Sequence, residues 1–264
     1  MRIWLYLPLF LLVSLAPLRA AAGFIDGEEL SYVAKWTGVP AGELDMKTKM
    51  VGRELWQFEV HAKTNSFWSM VHKVRDKITS SVAEKPFRSL AYSKDESQGR
   101  RHILEEVTAD YEKDLIRRSR QNLSAGEKAS VDEFKLDPEM NAVQDPLSMI
   151  YLLRTFEFKN IQELDKTFSV FASKETYSLK FNLKGDLVFE SAIFGPRRVW
   201  HLEPSAEYAG NLVTKGKLEL WVDCETGIPL RLVFNIPVGW ASLELKSTNN
   251  PKLQSTSFRE RRGH

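Results

Sequence analysis

The chain has 264 residues, 43% of them hydrophobic and 27% charged, with 37 basic and 35 acidic residues. Arg2 and Arg19 lie in an N-terminal segment that reads as removable, and without them 35 basic residues balance 35 acidic ones, so no basic surplus marks a nucleic-acid partner. Cys224 is the single cysteine, which excludes an intramolecular disulfide and leaves either a quiet free thiol or a bridge between chains.

The N-terminal segment starts with Arg2, continues as an apolar run from Ile3 to Ala16, and ends in Ala20, Ala21 and Ala22. That run falls short of the ~20 residues a bilayer crossing needs, and the small-residue exit fits a cleavable secretory signal over 1–22. No cysteine stands at Gly23 to take a lipid, so the expected product is released after export, to the periplasm or beyond, without a membrane span. The rest is long enough for one β-rich domain over 23–247 with its own core.

From Glu28 to Trp36 the chain reads as a first strand, and TGVPAG at 37–42 reads as a turn. Glu43–Val51 and Arg53–Thr64 follow as strands, the latter with Trp56, Phe58, Val60 and Ala62 on one face. Ser66–Ala83 alternates less cleanly and is expected as a strand with Met70, His72 and Val74 facing inward. Phe87–Ser93, Arg100–Val107 and Lys113–Arg120 are further strands, and 122–141 reads as a long loop. Asp145–Phe156 is the one convincing helix, since Asp145 can cap it and Pro146 suits its first position. Leu147, Met149, Ile150, Tyr151, Leu152 and Leu153 leave it apolar all round, as a buried helix is.

Strands are also expected at Thr167–Ala172, Glu175–Leu183, Leu187–Ser191 and Arg198–Glu203. The close of the chain is the plainest part. Leu218, Leu220 and Val222, then Leu230, Leu232, Phe234 and Ile236, then Ala241, Leu243 and Leu245 mark three alternating arms with short turns, a meander. A disordered tail is expected over 248–264. The fold class is therefore mainly β: a strongly curved antiparallel sheet, half-open or closed into a barrel, around one buried helix.

GEELSYVAKWTGVPAGELDM at the start, SFWSMVHKVRDKITS, DPLSMIYLLR and LELWVDCETGIPLRLVF together resemble the family catalogued as domain of unknown function 3108, over roughly Gly27 to Lys246. That family comprises exported bacterial envelope proteins, and no activity comes with the resemblance. A curved antiparallel sheet with a central apolar helix is also similar to periplasmic lipoprotein carriers of the LolA and LolB type, whose half-open barrels hold acyl chains. Such likeness of architecture does not settle function.

None of the five histidines, His61, His72, His102, His201 and His264, falls in a metal-ligand spacing, and the sequence has neither a G-x-S-x-G nucleophile turn nor a Gly-rich phosphate loop. The expectation is accordingly a protein with no catalytic or metal residues, no cofactor and no enzymatic activity. Its partner would be a lipid or other hydrophobic molecule, or alternatively an envelope protein that it helps to assemble. Phe67, Trp68, Ile150, Tyr151, Arg154, Trp221 and Trp240 are the candidate lining or mouth of an apolar site. Each has a plainer reading: the aromatics fill the interior of the sheet, and Arg154 neutralises the carbonyl end of the helix. Trp221 and Trp240 lie opposite Leu220 and Leu243, which puts apolar groups on both faces of the meander and asks what covers the second. Arg117, Arg118, Arg120, Arg197 and Arg198 read as solvated strand edges.

Overall fold

The structure is a computed structural model and describes residues 23–137, 142–156, 166–208, 211–213, 218–235 and 238–254. The expected signal over 1–22 and the tail beyond 254 lie outside the described residues. The first half contributes β1 (Glu29–Trp36), β2 (Val39–Gly52), β3 (Leu55–Thr64), helix α1 (Ser66–Val71), β4 (Val74–Ala83), β5 (Arg88–Gln98), β6 (Arg101–Asp110), β7 (Leu115–Asn122) and β8 (Ser130–Lys135). A short β9 (Val143–Gln144) leads into α2 (Pro146–Leu152), which tightens into a 3-10 turn at Leu153–Thr155. The second half contributes β10 (Phe168–Ala172), β11 (Glu175–Ser191), β12 (Gly195–Tyr208), β13 (Asn211–Val213), β14 (Leu218–Asp223), β15 (Pro229–Asn235), β16 (Trp240–Thr248) and a last turn of helix, α3 (Pro251–Gln254).

All the strands among the described residues belong to one sheet. Fifteen of them follow the order β8-β7-β6-β5-β4-β3-β2-β1-β16-β15-β14-β12-β11-β10-β9, with β13 paired to β12 off this path. The sheet is mainly antiparallel and is not closed; β9 and β10 form a parallel pair. Its two meanders, β1 to β8 and β14 to β16, are joined where the first strand pairs with the last, Tyr32 opposite Leu245 and Trp36 opposite Ala241. The β1–β2 hairpin has a two-residue connection in which Thr37 and Gly38 both hold positive φ, 46° and 87°, the backbone twist such a tight turn requires.

The period-two reading holds where one face is buried: Trp56, Phe58 and Val60 on β3, and Leu220, Val222, Leu230 and Leu232 on β14 and β15, all lie in one core. Leu147, Met149, Tyr151 and Leu152 of α2, and Leu153 directly after it, join that core, and α2 touches both β4 and β10. A smaller cluster of Ile116, Leu136, Val143 and Phe171 closes the β7 end.

Several expectations are corrected. Ser66–Val71 is a helical turn, because Asn65 accepts a hydrogen bond from the Trp68 amide at 3.0 Å and caps it. The inward face assigned to Met70 and His72 is therefore lost, and both are exposed. The expected loop contains β8, an edge strand whose side chains stay exposed or half-exposed, so no apolar face announces it. The two strands expected between 175 and 191 are one, carried past a register shift at Leu183–Gly185. Thr248 ends β16, and Leu253 of α3 is buried in the core, so the expected tail is packed through 254. Arg118 and Arg197 are buried, not solvated: Arg118 pairs with Glu105 at 2.6 Å and Arg197 with Asp223 at 2.7 Å, carboxylates supplied by neighbouring strands.

Candidate functional site

Helix α2 begins at Asp145, whose carboxylate accepts from the Leu147 and Ser148 amides at 2.8 Å each, while Ser148 Oγ accepts from the Asp145 amide at 2.9 Å. This reciprocal capping box, with Pro146 at the first turn, is why the helix starts where it does. The second carboxylate oxygen accepts from Ser80 Oγ at 2.6 Å and Ser89 Oγ at 2.7 Å, which pins the helix start to β4 and β5.

Burial pushes the Asp145 carboxyl above the usual range, with the four hydrogen bonds acting against that shift. A folded-state pKa raised above the unfolded one contributes stability at low pH that is lost as pH climbs from about 4 through the folded value. Asp145→Asn keeps an acceptor for the two amides and removes the titration. Urea unfolding at a series of pH values should therefore show wild type losing ground to Asp145→Asn as pH rises through that window.

Two faces of α2 do different work. Tyr151 stacks on Phe58 with ring centroids 3.7 Å apart, and Thr48 Oγ1 donates to its phenol oxygen at 3.3 Å. Burial holds that phenol up at about 12, so it stays protonated. Pro146, Met149, Ile150 and Leu153, spaced three, four and seven residues apart, form the other face. They line an apolar cavity of about 500 Å³ whose far wall includes Val170, Leu179, Phe181, Leu218 and Leu220. That volume lies in the range of small-molecule sites, ~300–1,000 Å³. A second, smaller cavity of about 110 Å³ shares Pro146 and Ala172 with the first and is lined by Tyr92, Lys94, Glu105 and Asp145 among others.

The candidate residues do not converge. Ile150 lines the apolar cavity. Tyr151 and Arg154 face the sheet core. Arg154 is buried in a bidentate pair with Glu28, and its guanidinium also donates to the Gly23 carbonyl at 2.6 Å. It is thus at neither the helix carbonyls nor a cavity mouth. Trp221 is covered by the protein's own polar groups: His201 stacks on it at 4.3 Å and the Arg231 guanidinium lies 5.2 Å from its ring. Phe67, Trp68 and Trp240 belong to the α1 rim, where Trp68 packs edge-on against Trp36 at 4.9 Å and the Trp240 ring backs Gly38. Met149, Leu153, Leu179, Phe181 and Leu218 are cavity residues that the sequence reading did not single out. The signal for the first two was available in the helical spacing of Pro146, Met149, Ile150 and Leu153.

Cys224 is a free, half-buried thiol that burial pushes up to about 11, which leaves little thiolate at neutral pH. Among the described residues, no three His, Cys, Asp or Glu side chains are grouped to hold a metal, and no helix is long and apolar enough to cross a membrane.

An open, barrel-like β-sheet with an apolar cavity beside one buried helix is the class this architecture defines. The chain belongs to the family described as protein of unknown function DUF3108, whose model matches residues 31–246. Among solved structures it is similar to a beta-barrel-like protein of domain of unknown function DUF1849 from Brucella abortus, with a TM-score of 0.56 at 8% identity, over 84% of this chain and 97% of that one. It is also similar, with a TM-score of 0.36 at 6% identity, to a protein of YmcC-like fold from Bacteroides fragilis, over 86% of this chain and 97% of that one. The first likeness supports the fold. No curated protein matches the chain.

Proposed function

We propose that the protein is an exported, non-enzymatic binder or carrier of a hydrophobic ligand, a lipid or acyl chain, in the bacterial periplasm. The observation that carries this reading is the roughly 500 Å³ apolar cavity between Met149 and Ile150 of α2, with Leu153 just after it, and the β10–β11–β14 wall. In this reading the sheet curves round α2 and leaves that space for the ligand. Burying apolar ligand surface there contributes roughly 25 cal/mol per Å², or ~0.8 kcal/mol per methylene. Release requires α2 or an adjoining segment to yield. Export is read from the Arg2 to Ala22 segment, with secretion beyond the periplasm as the alternative.

The test is native and then denaturing mass spectrometry of protein recovered from the periplasm without detergent. A discrete extra mass that is lost on denaturation and recovered as an apolar molecule is the expected result. Ala206, half-buried on β12 in the cavity wall, gives the matching variant. Ala206→Trp should abolish the extra mass while the unfolding midpoint stays close to wild type, since the indole enters empty space. A bare polypeptide mass in wild type would sink the reading and favour an assembly factor that acts through protein contacts.

A further inference from the structure

Thirteen large apolar side chains are exposed among the described residues, and five of them share the rim that carries α1: Val39, Phe67, Met70, Val71 and Val238. Exposure there is high, 64% for Phe67, 79% for Met70, 71% for Val71 and 70% for Val238. No residue of α1 is buried, so this helical turn contributes nothing to the core that would account for its composition. A polar sequence would form the same capped turn at lower solvation cost.

The rim is also held rigidly. Trp36 Nε1 donates to the Val238 carbonyl at 2.8 Å, and Trp68 Nε1 donates to the Pro40 carbonyl at 3.2 Å. Asn65 Nδ2 donates to the same Pro40 oxygen at 3.1 Å, and the Thr37 amide donates to the Trp240 carbonyl at 2.8 Å. The β1–β2 turn, the β15–β16 turn and α1 are therefore tied together through a base of indole rings, from which Phe67, Met70, Val71 and Val238 stand out.

Two unpaired cations stand beside this patch. Lys73 and Arg75, both exposed directly after α1, have no carboxylate partner among the described residues. The nearby acids are already engaged: Asp76 accepts from the Ser97 amide at 3.0 Å and from Gln98 Nε2 at 2.6 Å, while Glu43 pairs with Lys63 at 3.4 Å and Lys246 at 3.7 Å. Projecting apolar side chains on an indole base, next to unpaired cations, match the chemistry of a membrane interface: hydrocarbon for the projections and lipid phosphate for the cations.

We propose that the α1 rim docks the protein on the surface of a bilayer containing anionic phospholipid. The strand register adds a consequence. Leu218, a wall residue of the apolar cavity, lies on a line of paired residues that runs through Phe234, Ala241 and Trp36 to Val39 at the rim. Docking by this rim brings that end of the cavity toward the bilayer. The docking inference rests on the rim itself and stands whether or not the cavity holds a ligand.

The test is co-flotation of the periplasmic form with vesicles of phosphatidylglycerol and phosphatidylethanolamine, and with vesicles of phosphatidylcholine alone. Wild type should float with the anionic vesicles and bind the neutral ones far less. Phe67→Ser with Met70→Ser should lower the bound fraction about tenfold or more, and Lys73→Glu with Arg75→Glu should lower it on anionic vesicles. All four side chains are exposed, so thermal unfolding and the native mass spectrum should match wild type, which separates loss of docking from loss of a cavity ligand. Absence of wild-type flotation, or equal flotation of the Phe67→Ser, Met70→Ser variant, would overturn the proposal. A wild-type dimer in sedimentation velocity that this variant dissolves would also overturn it, by assigning the rim to a second copy of the chain.

Discussion

Replacing Arg154 with methionine should destabilise the protein by about 3–5 kcal/mol, the cost of removing one partner from a buried ion pair. Glu28 and Arg154 are both fully enclosed, and the guanidinium meets the carboxylate with two nitrogens, one of them at 2.9 Å. Without Arg154, the Glu28 carboxylate keeps only Asn250 Nδ2, at 2.6 Å, as its side-chain hydrogen-bond partner in a site closed to water. The cost is also global, because Arg154 ties segments far apart in the chain: the Gly23 carbonyl, Glu28 before β1, and through Glu28 the Asn250 turn that leads into α3. Chemical denaturation measures this directly. The double variant Glu28→Gln, Arg154→Met should recover a large part of the loss, since it leaves no buried charge unpaired. A single Arg154→Met variant within about 1 kcal/mol of wild type would show that water reaches this pair.

Arg154 also marks how far the sequence could be read. Its position at the end of an apolar helix was plain, but its partner lies 126 residues away and nothing local points to it. The same holds for Arg118 and Arg197, whose carboxylates come from adjacent strands. Periodicity reports which face a residue is on, and says nothing about which charge waits across the sheet. Strand alternation was legible wherever one face is buried and the other wet, as on β3 and β14. It failed on β8, where both faces are exposed to some degree, and on Ser66–Val71, where apolar residues serve a rim and not a core. Asn65 before that segment was a readable cap. The pairing of β1 with β16 was not readable, because the register between chain ends is set by packing of the whole sheet. Half of the cavity was legible in principle, as the Pro146, Met149, Ile150, Leu153 stripe. The other half required the strand order, which brings Leu179 and Phe181 of β11 and Leu218 and Leu220 of β14 to a common wall.

The second large effect is expected at Phe58, the residue through which the sheet holds α2. It is fully buried on β3, stacked on Tyr151 at 3.7 Å with the rings 7° from parallel, and meets the edge of Phe24 at 5.3 Å. Phe58→Ala should cost about 3–5 kcal/mol in urea unfolding, because it opens a cavity under a ring that cannot follow the lost atoms. Tyr151 cannot follow because its helix is anchored at the other end by Asp145 to Ser80 and Ser89. The loss should therefore concentrate on α2: amide hydrogen exchange over 146–155 should quicken more than global unfolding accounts for. Ile103→Ala is the control, a buried deletion on β6 outside the cluster that contains α2. It should lower stability by about 2–5 kcal/mol while leaving α2 protected up to global unfolding. Because the opposite face of the same helix carries Met149, Ile150 and Leu153, Phe58→Ala should also loosen the cavity wall and shorten retention of any apolar mass found there. Equal exchange over 146–155 in the two variants would mean that α2 is held by its caps alone, and that the Phe58 and Tyr151 stack does not couple the sheet to the cavity.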